Sequence, residues 1–143
     1  MITVEELAFA LIAVLEGLRL AAYQDSGGVW TIGIGHTGPD VHAGMTITEA
    51  IALELFQKDA APLLARVAGI PLVEAAALVS FGYNVGIGAL ELVLAGHDTI
   101  ANPKHYTDRH GNVLSGLMSR RRLEELLCVV SQEQSAQTLS PSS

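Results

Sequence analysis

The N-terminal part of the chain changes from a helical to a strand-like pattern of apolar positions. Apolar residues recur three and four positions apart between Leu7 and Leu15, and Thr3 and Glu6 have the spacing of a capping box. This pattern predicts a helix that ends near Glu16. β-favouring residues then flank Asp25-Ser26-Gly27-Gly28, a turn composition that predicts a hairpin. Glu16 should therefore end a helix, and Asp25 should lie in the next turn.

Helical patterns dominate the middle of the chain. Thr46 and Glu49 match a second capping box, which should open a helix. Pro62 can occupy a first turn or kink a helix. Residues 75–85 are predicted to form a mostly buried helix, because they are almost entirely apolar or small.

The C-terminal part is predicted to contain a loop, a helix and a tail. Residues 96–112 are rich in His, Asp, Asn, Pro and Gly and should form an irregular loop, whereas residues 117–130 have an amphipathic helical pattern. The predicted polar side of that helix carries Arg120, Arg121, Arg122, Glu124 and Glu125. Residues 131–143 have the composition of a disordered tail. We predict an α+β domain over residues 1–130, with a mainly helical lobe and a small N-terminal β-hairpin lobe.

Charge and cysteine content exclude several classes of protein. Eight basic against fifteen acidic residues give a formal charge of −7, which disfavours nucleic acid and anionic membranes as partners, and also loose adhesion to an anionic cell wall. The single cysteine, Cys128, can form no internal disulfide and should be a buried, unreactive thiol. The run from Leu7 to Leu15 is too short to span a bilayer and follows two glutamates, so we expect no signal peptide and no membrane anchor.

Two carboxylic acids in different environments are the minimum equipment for cleaving a glycosidic bond. Glu16, after an apolar helix, should be partly desolvated and keep the proton of a general acid, whereas Asp25 in a polar turn should stay ionised. The hydroxyl of Thr31, across the hairpin, can hold a water beside Asp25. Taken alone, the pattern also fits an exposed helix-end glutamate and an ordinary turn aspartate.

The spacing of these residues resembles a known signature. Asp25 follows Glu16 after eight intervening residues and Thr31 follows after five more, as in the phage-type lysozymes or endolysins, glycoside hydrolase family 24. The resemblance continues through Asp59, residues 77–86 and residues 116–124. It implies a lysozyme-like catalytic domain, muramidase activity on the bond between N-acetylmuramic acid and N-acetylglucosamine, no cofactor, and Glu16, Asp25 and Thr31 as catalytic residues.

The resemblance also implies contacts to sugar. Thr37, Tyr83 and Asn84 fall where the family binds the glycan, and Tyr23 and Gly35 are expected to support the site. His36 can either tune Asp25 electrostatically or pair with a carboxylate for structural reasons.

No metal site is expected from the sequence. The candidate ligands all lie in the loop over residues 96–112 and have no helical i, i+4 pair, so a solvated polar loop is the better interpretation. They are His97, Asp98, His105, Asp108 and His110.

The expected substrate is the glycan strand of peptidoglycan. The chain is expected to be a monomer, made in the cytoplasm of the bacterial host cell, that acts on the wall after holin-dependent release or another route. Residues 86–116 are shorter than in typical members and lack their usual Ser-Thr-Leu-Leu run and Trp, which predicts a remodelled cleft.

Hydrolysis should proceed by inverting attack of water, with the two carboxyls roughly 6.5–9.5 Å apart. Two alternatives remain: a lytic transglycosylase, which can act with the glutamate alone, and a non-catalytic peptidoglycan-binding module that keeps the lysozyme fold.

Overall fold

The computed structural model describes residues 1–139 of the 143-residue chain. Its elements, in chain order, are α1 (Val4–Glu16), β1 (Arg19–Gln24), β2 (Trp30–Gly33), β3 (His36–Thr37), α2 (Glu49–Arg66), α3 (Leu72–Val85), α4 (Ile87–Leu94), a 3₁₀ turn (Pro103–His105) and α5 (Ser115–Leu139). A small antiparallel sheet, in the order β1-β2-β3, follows α1, and the rest is helical. The α+β prediction, with a mainly helical lobe and a small N-terminal sheet lobe, is confirmed.

Helix α1 begins and ends where the sequence predicts. The Thr3 hydroxyl accepts the Glu6 amide at 3.2 Å and the Glu6 carboxylate accepts the Thr3 amide at 3.0 Å, so the capping box is formed. Gly17 follows the last residue with φ +87°, a conformation that glycine adopts without strain. The chain therefore leaves the helix directly after Glu16 and enters the sheet.

The predicted hairpin is present and gains a third strand. β1 pairs with β2 through Tyr23 and Thr31, and β2 pairs with β3 through Thr31 and Thr37. Asp25 lies in the turn between β1 and β2, as predicted. The sheet thus holds three of the candidate residues side by side.

Helix α2 does not begin at the predicted capping box. Its N-cap is Thr48, whose hydroxyl accepts the amide of Ile51 at 3.2 Å. Thr46 instead forms an isolated antiparallel bridge with Ala21, which keeps its backbone extended. Pairing with the sheet therefore displaces the helix start by two residues, and Pro62 lies inside the helix.

Helix α3 is the centre of the hydrophobic core. All eight residues from Ala75 to Gly82 are buried, and α1, α2, α4 and α5 pack around them. The prediction of a buried helix over residues 75–85 is confirmed. Cys128 of α5 joins this core, and burial raises the pKa of its thiol to about 12, which fits an unreactive cysteine.

Helix α5 is longer than predicted. Residues 131–139 continue the helix where the sequence predicted a disordered tail, and residues 140–143 lie outside the described part of the chain. Ser131 is buried, and the Gln132 side chain donates to the Glu74 carboxylate at 3.1 Å. The first residues of this extension therefore contact the rest of the protein. The amino-acid composition alone does not predict these contacts.

The loop over residues 96–112 is irregular apart from the 3₁₀ turn, but its acidic centre is not solvated as predicted. The Asp98 side chain is 2% exposed and lies 2.8 Å from the Lys104 ammonium and 2.9 Å from His105 Nε2. Lys104, together with the Asn102 amide and the Thr99 backbone, holds the pKa of Asp98 well below its usual range. In the described part of the chain no group of three or more His, Cys, Asp or Glu side chains could hold a metal ion.

The described helices include none with the length and apolar character needed to cross a membrane.

Candidate active site

A cleft of about 1010 Å³ lies between the end of α1, the hairpin turn, the end of α3 and the start of α5. It is lined by Leu15, Glu16, Asp25, Ser26, Asn84, Leu114, Ser115, Gly116, Leu117 and Arg120. Three of the candidate residues, Glu16, Asp25 and Asn84, therefore meet in one concave site.

Glu16 is held on its wall of the cleft by an arginine. Arg120 Nη1 donates to Glu16 Oε1 at 2.6 Å, and the glutamate side chain remains 26% exposed. On the other side, a Cβ added at Gly35 would lie 3.6 Å from Glu16 Oε2. Gly35 has φ +87°, so it combines close approach to the carboxylate with a backbone conformation that favours glycine.

Asp25 is held by the backbone of its own turn. Its Oδ1 accepts the amides of Gly27 at 2.8 Å and Val29 at 2.9 Å, and its carbonyl accepts the amide of Gly28 at 2.9 Å. The residue is exposed. These contacts orient one carboxylate oxygen and present the side chain to the cleft.

Thr31 and Thr37 lie on the sheet and are not among the residues that line the cleft. Thr31 is 4% exposed, and its hydroxyl donates to the carbonyl of Val29 at 2.9 Å. Thr37 is opposite it on β3 and is exposed. The hydroxyl proton of Thr31 is thus directed to the backbone, while its oxygen keeps acceptor capacity.

Tyr83 and Asn84 are adjacent in α3 but face different surroundings. The Tyr83 hydroxyl donates to the carbonyl of Ile34 at 2.8 Å, and its ring lines a separate cavity of about 290 Å³ that includes Asp59. Burial raises the pKa of Tyr83, which therefore remains a neutral phenol. Asn84 faces the main cleft, and its Oδ1 accepts Arg121 Nη1 at 2.9 Å.

The residues expected to support the site make contacts of their own. His36 Nδ1 lies 2.6 Å from Asp59 Oδ2, and its Nε2 lies 2.9 Å from Asp40 Oδ2. Burial opposes the charged imidazole, but the bonds to these two aspartates outweigh it and raise the pKa of His36. This geometry favours the structural interpretation of His36. The Tyr23 ring lies 4.6 Å from the Arg19 guanidinium carbon.

A cluster of buried charges lies beside the cleft and was not predicted from the sequence. Arg120, Arg121 and Glu124 were predicted on the polar side of α5 but are only 5%, 1% and 0% exposed, so that prediction is wrong. Arg122 and Glu125 are exposed as predicted.

A helical pattern of apolar and charged positions does not predict these buried charges, because their partners lie on other helices. Arg120 meets Glu16 of α1, and Ser80 of α3 donates to Glu124 at 2.6 Å. Desolvation raises the pKa of Glu124 and lowers the pKa of Arg121, against their mutual attraction. The sequence did contain one signal: Arg121 and Glu124 have opposite charges three positions apart, the spacing at which two side chains of a helix can form an ion pair.

The chain is similar to a known protein family and to its members. Residues 13–124 match the phage lysozyme family. A SAR-endolysin of Bacteriophage PS34 is 33% identical over 135 residues, covering 83% of this chain and 79% of that protein.

Two solved structures are also similar to this chain. An endolysin from Escherichia coli O157:H7 phage FAHEc1 superposes with a TM-score of 0.69 at 27% identity, covering 99% of this chain and 98% of that one. The muramidase domain of SpmX from Asticaccaulis excentricus superposes with a TM-score of 0.65 at 29% identity, covering 94% and 95%.

The family match spans most of the chain and includes the whole cleft with Glu16, Asp25 and Asn84. The chain therefore belongs to the phage lysozyme family and is a lysozyme-type glycoside hydrolase.

Proposed function

We propose that the chain is a muramidase that hydrolyses the β-1,4 bond between N-acetylmuramic acid and N-acetylglucosamine in bacterial peptidoglycan. The observation that carries this proposal is that Glu16 and Asp25 line the same cleft in different environments. Glu16 ends a helix and is paired with Arg120, whereas Asp25 lies in an exposed turn and accepts backbone amides. Two carboxyls in unlike environments can divide the work of acid and base between them.

Glu16 is the proposed proton donor to the departing glycosidic oxygen. Arg120 occupies Oε1, so Oε2, on the side of Gly35, is the oxygen left to carry the proton. When the proton leaves, negative charge develops on Glu16 next to the permanent cation of Arg120. A group placed to stabilise charge that appears in the transition state lowers the barrier.

Asp25 is the proposed base that activates water. The backbone amides of Gly27 and Val29 hold Oδ1, which leaves Oδ2 for the nucleophile. The oxygen of Thr31 is the proposed second contact for that water. Attack from the face opposite the leaving group inverts the anomeric centre.

Sugar contacts are proposed for Thr37, Tyr83 and Asn84. A guanidinium has only donors, so Arg121 must meet the carbonyl oxygen of Asn84, and the amide NH₂ group is left to donate to an acceptor on the glycan. The phenol of Tyr83 already donates to the backbone and can offer only its oxygen or its ring. Thr37 is exposed, and its hydroxyl can both donate a hydrogen bond to the glycan and accept one from it.

The proposed biological setting is lysis of an infected bacterial cell, because the relatives are named endolysins. In this proposal the chain is made in the host cytoplasm, reaches the wall after release through a holin-dependent or other route, and acts as a monomer without a cofactor. Residues 1–130 form the catalytic domain. With a charge of −7, binding to the anionic wall should rest on the cleft rather than on general attraction.

The test measures release of soluble muropeptides from purified peptidoglycan, at low and moderate salt, by the native chain and the Glu16→Gln variant. Glu5→Gln is the matched control, since Glu5 lies in the same helix but in its first turn. We expect reducing-end muramic acid products from the native chain and the control, and none from Glu16→Gln. Anhydro products would instead identify a lytic transglycosylase. Glycan binding without any release would leave a wall-binding module.

A further inference from the structure

A buried carboxylate of α5 connects the acid and the sugar-binding amide of the cleft. Glu124 is 0% exposed and does not line the cleft. Its Oε2 accepts the Ser80 hydroxyl at 2.6 Å, and its Oε1 accepts Arg121 Nε at 2.6 Å. Two chains of contacts begin at this carboxylate, one through Ser80 and one through Arg121, which also donates to Oε2 through Nη2 at 3.2 Å.

The first chain of contacts leads to Glu16. Because the proton of Ser80 is committed to Glu124, the serine oxygen faces Arg120 as an acceptor, 3.3 Å from Nη2. The same Nη2 donates to the Ser80 carbonyl at 3.1 Å, and Nη1 donates to Glu16 at 2.6 Å. Arg120 is thus held through both terminal nitrogens of its guanidinium.

The second chain of contacts leads to Asn84. Arg121 donates to Glu124 through Nε and Nη2, and its Nη1 donates to Asn84 Oδ1 at 2.9 Å. The planar guanidinium fixes the angle between these two directions. The orientation of the Asn84 amide therefore depends on where Glu124 holds Arg121.

Charge as well as geometry depends on Glu124. Arg120 Nε is buried, has no hydrogen-bond acceptor among the described residues, and lies 3.5 Å from Glu124 Oε2. Two arginines side by side repel each other at low dielectric, and Glu124 faces both of them. Without its charge, the surroundings of Glu16 would become more positive.

We propose that Glu124 is a positioning residue for glycan hydrolysis, which sets Glu16 through Ser80 and Arg120 and sets Asn84 through Arg121. This inference rests on the proposed muramidase function. Glu124 touches no substrate, so its effect is on the geometry and the electrostatic environment of groups that do.

The experiment compares Glu124→Gln with Glu125→Gln, which makes the same change at an exposed neighbour on the same helix. The measurements are kcat, KM and the pH profile of muropeptide release. We expect Glu124→Gln to lower kcat by about 10²-fold, the order of loss that a misplaced catalytic group produces. We also expect the alkaline limb of its profile to move to lower pH, because the positive charge of Arg120 beside the proton donor is no longer balanced by Glu124. Glu125→Gln should match the native chain.

An alkaline limb for Glu124→Gln that coincides with that of Glu125→Gln would overturn the proposal, whatever happens to kcat, because a purely structural role changes the rate alone. If Glu124→Gln does not fold, Ser80→Ala decides, since it removes the hydroxyl between Glu124 and Arg120 while the Ser80 carbonyl contact and every charge remain. A lower kcat with KM within about twofold supports the proposal, and a native kcat contradicts it. An inactive native chain would instead refute the proposed function, so the two failures are distinguishable.

Discussion

The two walls of the cleft hold their carboxylates by different means. Asp25 is fixed by amides two and four residues along its own turn, in solvent. Glu16 is fixed by Arg120, which is 104 residues away in the sequence and packed in the helical lobe. One wall is thus a local structure that needs little support, and the other depends on the packing of α1, α3 and α5. Substitutions on the two walls should separate activity from stability.

The largest effect on stability is expected from Arg121→Leu. The substitution leaves the carboxylate of Glu124 buried without its closest cation, and breaking such a pair costs about 3–5 kcal/mol in free energy of unfolding. Denaturant unfolding measures this loss. Adding Glu124→Leu removes the second charge and should recover about half of the loss or more, since a buried pair replaced by apolar residues is often neutral. If the free energy of unfolding of Arg121→Leu lies within about 1 kcal/mol of the native value, the cluster does not stabilise the helical wall.

The opposite behaviour is expected from Asp25→Asn. The asparagine carbonyl can still accept the amides of Gly27 and Val29, so the free energy of unfolding should change by less than about 1 kcal/mol. Muropeptide release should fall by at least about 10²-fold, or ~2.7 kcal/mol in transition-state stabilisation, because an amide cannot act as the base. Activity assays and denaturation of the same preparation check both parts. Near-native activity would remove Asp25 from the mechanism.

A smaller effect is expected at Gly35, which lies between β2 and β3 beside the carboxylate of Glu16. Gly35→Ala forces a side chain into φ +87° and places its Cβ about 3.6 Å from Glu16 Oε2. We expect a loss of about 1–2 kcal/mol in stability from the backbone conformation. The added methyl group contacts the carboxylate of Glu16 at an ordinary van der Waals distance, and the backbone shift that relieves φ +87° would move it toward or away from that carboxylate, so kcat should fall more than KM rises. Gly44→Ala, at φ +80° with open space around its Cβ position, is the control. Equal kcat for the two variants would mean that Gly35 is needed only for its backbone conformation and not for its position beside Glu16.

The smallest effect is expected from the His36 contacts, which tie the sheet to α2. The folded-state pKa of His36 is raised, so its contribution to stability is fully present below its unfolded pKa of about 6.5 and is lost as the pH rises through the higher folded value. His36→Asn should therefore lower Tm by a few degrees at most at about pH 6 and by less at about pH 8.5. Thermal unfolding across this range is the measurement. If the difference in Tm between the native chain and His36→Asn grows with pH, the raised pKa of His36 does not stabilise the fold.

The two walls also differ in how much of their structure the sequence could predict. Capping by Thr3, the turn at Asp25 and the position of Glu16 at a helix end all depend on residues within a few positions of each other, and all are as predicted. The start of α2 was misplaced because Thr46 pairs with Ala21 across the sheet, a contact that local pattern does not contain.

The buried charges of α5 are the clearest failure of pattern analysis. The amphipathic rule assigns charged residues to solvent, but Arg121 and Glu124 are buried together while Leu126 and Val129 are exposed. Their partners come from α1 and α3, so only the assembled fold satisfies them. The sequence could predict where Glu16 and Asp25 lie, but not that a buried cluster of α5 holds Glu16 in place.

The proposed hydrolysis is tested most directly by digestion of purified peptidoglycan in water enriched in heavy oxygen, followed by mass spectrometry of the products. Hydrolysis with Glu16 as acid and Asp25 as base predicts one solvent oxygen at each new reducing-end muramic acid, and no such product from Glu16→Gln. Cleavage that yields anhydro ends without solvent oxygen, or labelled products that persist in Glu16→Gln, would contradict it.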